Sequence, residues 1–406
     1  AWRRREMRGE LSRHLRGSER ARRLAGRGRL HGGGVSGGGS PHRRRGRNHR
    51  ITCCGVCDGE HSGGRLDGGS RCGGGSGGRP TSLVIDEAFD PEIHHPCKGN
   101  MDLKKLEDFI VQTGVANIPF GAITVTNNAG GGQPVSMENI RGVSAVYHKY
   151  KIPFFIDCCR FAENAYFIQQ REKGYQNKSI HQIALEMFGY ADGAWMSAKK
   201  DALVNIGGFL AMRDEKLFQL VKNELILREG FPTYGGLAGR DLDALATGLW
   251  EGLEEDYLAY RIGQTAYIGN RLVEAGVPII EPPGGHAIYI NAGKLFSHIP
   301  QGEFPGLALS TALYLEGGVR ACEIGSVMFA HPDPDSGEMV YPKLELVRLA
   351  IPRRMYTQSH FDYVIDTIVQ VAADRMKYGG FGFTYAAPLM RHFTARFAPV
   401  GGKKKP

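Results

Sequence analysis

Between Leu83 and Met212 short β-rich runs alternate with amphipathic stretches, and that alternation restricts the chain to few architectures. "IPFGAITVT" reads as a strand feeding the glycine loop "NNAGGGQPVS", "KIPFFID" as a continuous apolar strand closing on Asp157, and "GAWMSAKKD" as a strand and turn. Between them lie helical patterns. "NMDLKKLEDFIVQTG" puts Leu103, Leu106, Phe109 and Ile110 on one face and stops at Gly114. "SMENIRGVSAVYHKY" is again helical, and "SIHQIALEMFGYA" has Ser179 and Gln182 at capping-box spacing. Strands that alternate with helices form a mostly parallel sheet, so the expected class is α/β. Ligands of such sheets bind at the carboxyl ends of the strands. Asp157, the "NNAGGGQ" loop and the Lys199–Lys200 pair all fall at such ends.

"IGGFLAM" adds a further strand. After about Glu255 the pattern loosens: "GGHAIYI", "GVRACEIGS" and "LELVRLAIP" read as strands and "SHFDYVIDTIVQVAADRMKYG" as a long helix. The expected organisation is a large domain over 83–254 and a smaller α+β domain over 255–406. Residues 1–82 differ in texture, with 19 arginines, no lysine, 6 acids and 22 of the 57 glycines. The net charge of +9 therefore belongs to this segment, and the remainder is mildly acidic. Runs such as "HGGGVSGGGSPHRRRGRNHR" cannot bury enough surface to offset their ordering entropy, so 1–82 is expected to be disordered. Two readings of it stand open: an arginine–glycine tail on a polyanion such as nucleic acid, or a non-native leader. The near absence of aromatic side chains to stack on bases favours the leader.

Of 8 cysteines, Cys54 and Cys57 form a C-x-x-C with no second pair at zinc spacing, so no metal site is expected there. Cys158–Cys159 in an apolar run suits packing in a reducing compartment. No apolar run is long enough to span a bilayer, and the arginine-rich start lacks the apolar core of a secretory signal. A cytoplasmic location is expected.

Two adjacent lysines at the edge of an apolar run raise a chemical question. A lysine turned into an imine loses its charge and tolerates apolar neighbours. Pyridoxal phosphate makes such an imine, and it also needs a carboxylate at its ring nitrogen. Asp157 and one of Lys199 or Lys200 match that layout. Longer stretches carry a resemblance: "DCCRFAENAYFIQQRE", "MSAKKDALVNIGGF", "EGFPTYGGLAGRD", "GGHAIYINAGKLF" and "VRLAIPRRMYTQSHFD" strongly resemble the β-eliminating lyases tryptophanase and tyrosine phenol-lyase. The resemblance runs from about Leu83 to Val400. It implies a pyridoxal-phosphate enzyme of the aspartate-aminotransferase-like fold, a homotetramer in the family, using potassium as well.

By that resemblance Lys200 is the cofactor lysine, and Lys199 stays a cation that tunes it. Asp157 partners the pyridinium nitrogen, Arg160 lies near the cofactor's 3′-oxygen, and Asn127 contacts the same oxygen, with Asn128 left open by the doubled asparagine. Ser197 binds the phosphate, Arg348 the substrate carboxylate, and Asn205 offers a carbonyl to potassium. Ile324 after Glu323, and His392 in "LMRHFTARF", follow tryptophanase; "GGLAGRD" and "AIPRR" lean toward the phenol-lyase. The expected reaction is conversion of L-tryptophan to indole, pyruvate and ammonia, the alternative that of L-tyrosine to phenol, pyruvate and ammonia. A third reading, from another class, is an Arg/Gly-tailed nucleic-acid-binding protein with a degenerate lyase domain. The family's first third, with its phosphate-cradling glycine–arginine loop and ring-stacking aromatic, has no counterpart in 1–82. Weak cofactor binding by this chain is therefore expected.

Overall fold

The computed structural model describes residues 53–54, 83–128, 130–333, 335–387 and 391–401. The reading of 1–82 as a disordered leader thus lies outside the described residues, except that Cys53–Cys54 form a short strand, β1. Along the larger sheet follow β2 (Phe120–Thr124), β3 (Phe154–Asp157), β4 (Gly193–Ser197) and β5 (Gly208–Met212), in the spatial order β1-β2-β3-β4-β5. Pairing from β1 through β4 is parallel. The helices α1 (Leu103–Thr113), α2 (Met137–Lys149), α3 (Phe161–Arg171) and α4 (Ile180–Gly189) occupy the crossovers. No helix separates β4 from β5, so the chain returns antiparallel along that edge. The expected α/β class with a mostly parallel sheet is what the chain adopts.

Local chemistry sets the helix limits. The Asp102 carboxylate accepts the N–H groups of Lys104 and Lys105 and starts α1, and Gly114 ends it at φ +79°, where a side chain would be strained. Leu106, Phe109 and Ile110 are buried as expected. Leu103 is 37% exposed instead: from the first turn it lies across Gly142 of α2, where an added Cβ would stand 2.7 Å from its Cδ1. The Ser179–Gln182 capping box forms in full, with bonds of 3.2 and 2.9 Å.

Three more helices follow: α5 (Glu215–Arg228), α6 (Gly239–Glu251) and α7 (Glu255–Glu274). A second sheet has β6 (Ala287–Asn291), β7 (Cys322–Ile324) and β8 (Leu346–Ala350) in the order β6-β8-β7, all antiparallel. Helices α8 (Pro305–Gly317) and α9 (Gln358–Ala373) accompany it. Two apolar cores result. The first gathers Ile110, Ile123, Ile156 and Met187; the second gathers Ile288, Val347, Leu309 and Ile365. Helix α7 serves both, giving Leu258 to the first and Ile268 and Leu272 to the second. With period-2 alternation, Val347 and Ile288 face the second core while Arg348 and Tyr289, its partner in register, share the opposite face with Leu346 and Ile324.

Helix α6 comes to rest on the turn after Lys200. A Cβ on Gly248 would lie 1.7 Å from the Ala202 carbonyl oxygen, and one on Gly252 would lie 2.2 Å from that of Asp201. Gly248→Ala is therefore expected to destabilise the protein by about 1–3 kcal/mol through overpacking. A lowered midpoint of thermal unfolding checks this, and an unchanged midpoint would show that the helix and turn are not in close contact.

Candidate active site

The register of the parallel strands builds the site. Thr124 of β2 pairs with Asp157 of β3, and Asp157 pairs with Trp195 of β4, so β2 and β3 end side by side, two residues short of the end of β4. Asp157 is 6% exposed, and its Oδ1 accepts the Cys159 N–H at 3.3 Å. Two residues beyond Trp195 is Ser197, whose N–H donates to Cys159 Sγ at 3.1 Å. The lysine pair then divides. Lys199 is exposed, while Lys200 is 8% exposed. Burial pushes the Cys159 thiol up to about 12, with the Asp157 carboxylate adding to the rise and the Lys200 charge opposing it. Lys200 and Asp157 therefore both act on the same sulfur.

Arg160 caps α3 and is buried; its Nη1 donates to the Thr126 carbonyl at 3.5 Å, and its own carbonyl accepts Thr126 Oγ1–H at 3.0 Å. That ties β3's end to the loop after β2. In this loop Asn127 and Asn128 take different roles. Asn127 shapes the turn, its Oδ1 accepting the Gly130 N–H at 3.1 Å and its carbonyl the Gly132 N–H at 2.8 Å. The Asn128 Oδ1 instead accepts Arg348 Nη1–H at 2.5 Å and the Tyr289 hydroxyl at 3.1 Å, with His286 Nε2 at 3.0 Å. Of the two asparagines, Asn128 is the one brought to Arg348, and the extra glycine after it accounts for the ambiguity in sequence. Asn128 was left open by the sequence, whereas its partners His286 and Tyr289 were missed. The signal for His286 and Tyr289 was the "GGHAIYI" run, read as a strand.

Electrostatics around this group are unusual. Burial, then the charges of Arg160, Arg261, Arg353 and Arg348, hold the His286 imidazole well below its usual range, so it is neutral at pH 7. Glu163 of α3 is fully buried; burial opposes its ionisation, but Arg353, Arg261 and Arg160 outweigh that and hold it below the ordinary carboxylate range. Ile324 is 3% exposed opposite Leu346, on the face of the second sheet that carries Arg348. His392 is half-buried in the short helix Arg391–Thr394 and packs on Phe393 at 3.9 Å between ring centres. The preceding Arg391 donates to the carbonyls of Val327 and Ser326, both at 2.8 Å, and of Ala330, which anchors this helix to the segment following Ile324. Asn205 is exposed in the loop before β5. Among the described residues, no three or more His, Cys, Asp or Glu side chains gather as they would around a metal ion.

The profile of the β-eliminating lyases matches residues 67–367. The chain belongs to that family. A tryptophanase of Salinibacter ruber is 52% identical over 324 residues, covering 80% of this chain and 68% of that protein. A tyrosine phenol-lyase of Symbiobacterium sp. is 48% identical over 324 residues, covering 80% and 70%. A tryptophanase of Rhodobacter capsulatus is 53% identical over 322 residues, covering 79% and 70%. The match to the family profile begins at residue 67, within the segment read as a leader.

Pyridoxal phosphate is the cofactor of this lyase family, and the donor set fits it. A buried amine, Lys200, lies three residues past the end of β4, and a buried carboxylate, Asp157, closes the neighbouring strand β3, so one ligand can engage both. In the lyase, no described helix is long and apolar enough to cross a membrane.

Next to Ile324, burial pushes Glu323 up to about 8, and the Glu345 carboxylate adds to the rise. Its contribution to stability is complete below its ordinary pKa of 4.5 and is lost as pH rises toward 8. Thermal unfolding midpoints should therefore fall between pH 5 and pH 8.5, and Glu323→Gln should flatten that slope. An equal slope in both proteins would show that Glu323 ionises normally.

Proposed function

We propose that this chain cleaves an aromatic amino acid by β-elimination, with L-tryptophan as substrate and indole, pyruvate and ammonia as products. The observation that carries the reading is the division of the lysine pair, Lys200 buried and Lys199 exposed, beside the buried carboxylate of Asp157. Pyridoxal phosphate, when bound, supplies an electron sink for negative charge developing at the substrate α-carbon. Lys200 would hold its aldehyde. Asp157 would keep a proton on the ring nitrogen, Arg160 would lie near the 3′-oxygen, and Ser197 would bind the phosphate. The exposed Lys199 sits next to Lys200 in the chain and would tune it. Arg348 grips the substrate carboxylate, its planar fork suited to two oxygens. Asn128 orients that fork, and Asn127 shapes the loop that carries Asn128.

Substrate choice rests on the wall formed by Ile324, an apolar surface for an indole ring, and on His392 on the helix anchored beside it. An arginine at the Ile324 position would be costly next to a ring without a phenolic oxygen. The tyrosine phenol-lyase reading keeps support from "GGLAGRD" and "AIPRR". A potassium role for Asn205 has one exposed residue behind it, and a single carbonyl does not make a cation site. A homo-oligomer is supported by the apolar surface of α5, where Leu220 and Leu227 are 64% and 80% exposed.

Borohydride reduction of the protein with pyridoxal phosphate, followed by peptide mapping, should label Lys200, and Lys200→Ala should take up no label. Label on another lysine would refute the assignment. With tryptophan and tyrosine offered side by side, indole release should exceed phenol release; the reverse order would make the chain a phenol-lyase.

A further inference from the structure

The residue after Lys200 has no assigned part in the chemistry, yet it is among the most connected side chains in the molecule. Asp201 is 2% exposed. Its Oδ2 accepts the N–H groups of Ala162 at 2.8 Å and Glu163 at 3.1 Å, both in the first turn of α3. Its Oδ1 accepts Arg353 Nη2–H at 2.7 Å, and its own N–H donates to the Cys159 carbonyl at 3.2 Å. Cys159, Ala162 and Glu163 all lie within six residues of Asp157 along the chain. One residue therefore joins the lysine turn to the segment that follows Asp157 and to the start of α3.

Arg353 extends the connection. The same Nη2 that meets Asp201 also donates to Glu163 Oε1 at 2.7 Å. Arg261 of α7 donates its Nε–H to that Glu163 oxygen at 3.3 Å and its Nη2–H to the His286 carbonyl at 3.3 Å. Arg353 stands five residues beyond Arg348, and between them the Ile351 N–H donates to the His286 carbonyl at 3.0 Å. Two carboxylates and two guanidiniums thus balance in charge while binding the strand of Arg348 to the turn of Lys200. Asp201 and Arg353 also act on the buried Tyr257 hydroxyl, which burial pushes up to about 12.

We propose that Asp201 is a positioning residue, which through Arg353 sets the Lys200 amine at a fixed place relative to Asp157 and Arg348. The inference rests on Lys200 being the cofactor lysine. Its physical basis is that a reacting group displaced by about 1 Å loses roughly two orders of magnitude in rate, and a lysine side chain alone is too flexible to hold such a position. An anchored backbone directly after it narrows the range.

Asp201→Asn keeps the shape but turns one acceptor into a donor facing either Arg353 or the two N–H groups. It should weaken pyridoxal phosphate binding about tenfold or more, as expected for losing a charge-assisted bond. It should also slow borohydride labelling of Lys200 and shift the pH at which the bound cofactor's visible band titrates. Ile365→Ala, which opens a cavity in the second core, lowers the unfolding midpoint and should leave all three readouts in place. Arg353→Lys, which keeps the charge and loses the planar fork, should shift the same readouts in the same direction and serves if Asp201→Asn does not fold. Wild-type cofactor affinity, labelling rate and titration in the folded variants, with only the midpoint lowered, would reduce Asp201 to a purely structural role and overturn the proposal. Labelling of a different lysine in the unaltered protein would instead refute the cofactor-lysine reading itself.

Discussion

Three buried charges, Glu163, Asp201 and Arg261, and the half-buried Arg353 hold the functional parts of this lyase together. None of them could be buried alone at reasonable cost, because an isolated ion loses far more solvation than packing returns. Each is tolerated because the others lie within hydrogen-bond reach. The consequence is geometric as much as energetic. Removing one partner of such a group leaves an uncompensated charge and typically costs about 3–5 kcal/mol, so the arrangement admits few alternatives. The elements it joins are the ones that matter: the turn after β4, the start of α3, helix α7 and the segment following β8.

Around that centre the two sheets have distinct duties. The parallel sheet places Asp157 and Lys200 at adjacent strand ends, where backbone groups point outward and a ligand can enter. The antiparallel sheet presents one apolar face to its own helices and turns Arg348, Tyr289 and Ile324 outward on the other. Asn128 bridges the two by accepting from Arg348 and Tyr289 at once. A neutral His286 beside it adds polarity without adding a fifth positive charge to a region already holding four guanidiniums.

Much of the larger sheet was legible because its signals are local. Capping by Asp102 and Ser179, the stop at Gly114 and the apolar run ending in Asp157 depend on residues a few positions apart. Leu103 departed from its expected place because its neighbour across the helix pair is a glycine, which no periodicity within α1 reports. The antiparallel return of β5 follows from a missing helix, a signal present in the sequence but overlooked among so many alternating elements. The lysine pair was legible as chemistry, though which member turned inward came from family resemblance and then from burial.

The sequence by itself determined the element types, the alternation that makes the sheet parallel, and the family to which the chain belongs, since each of these is written in contiguous residues. Only the tertiary structure decided that Asn128 rather than Asn127 meets Arg348, that His286 is neutral, and that Asp201, Arg353, Glu163 and Arg261 close into one network. Those facts join positions tens to hundreds of residues apart. Charge and hydrogen bonding act over a few ångströms of space, and sequence order carries no measure of that distance until the chain has folded.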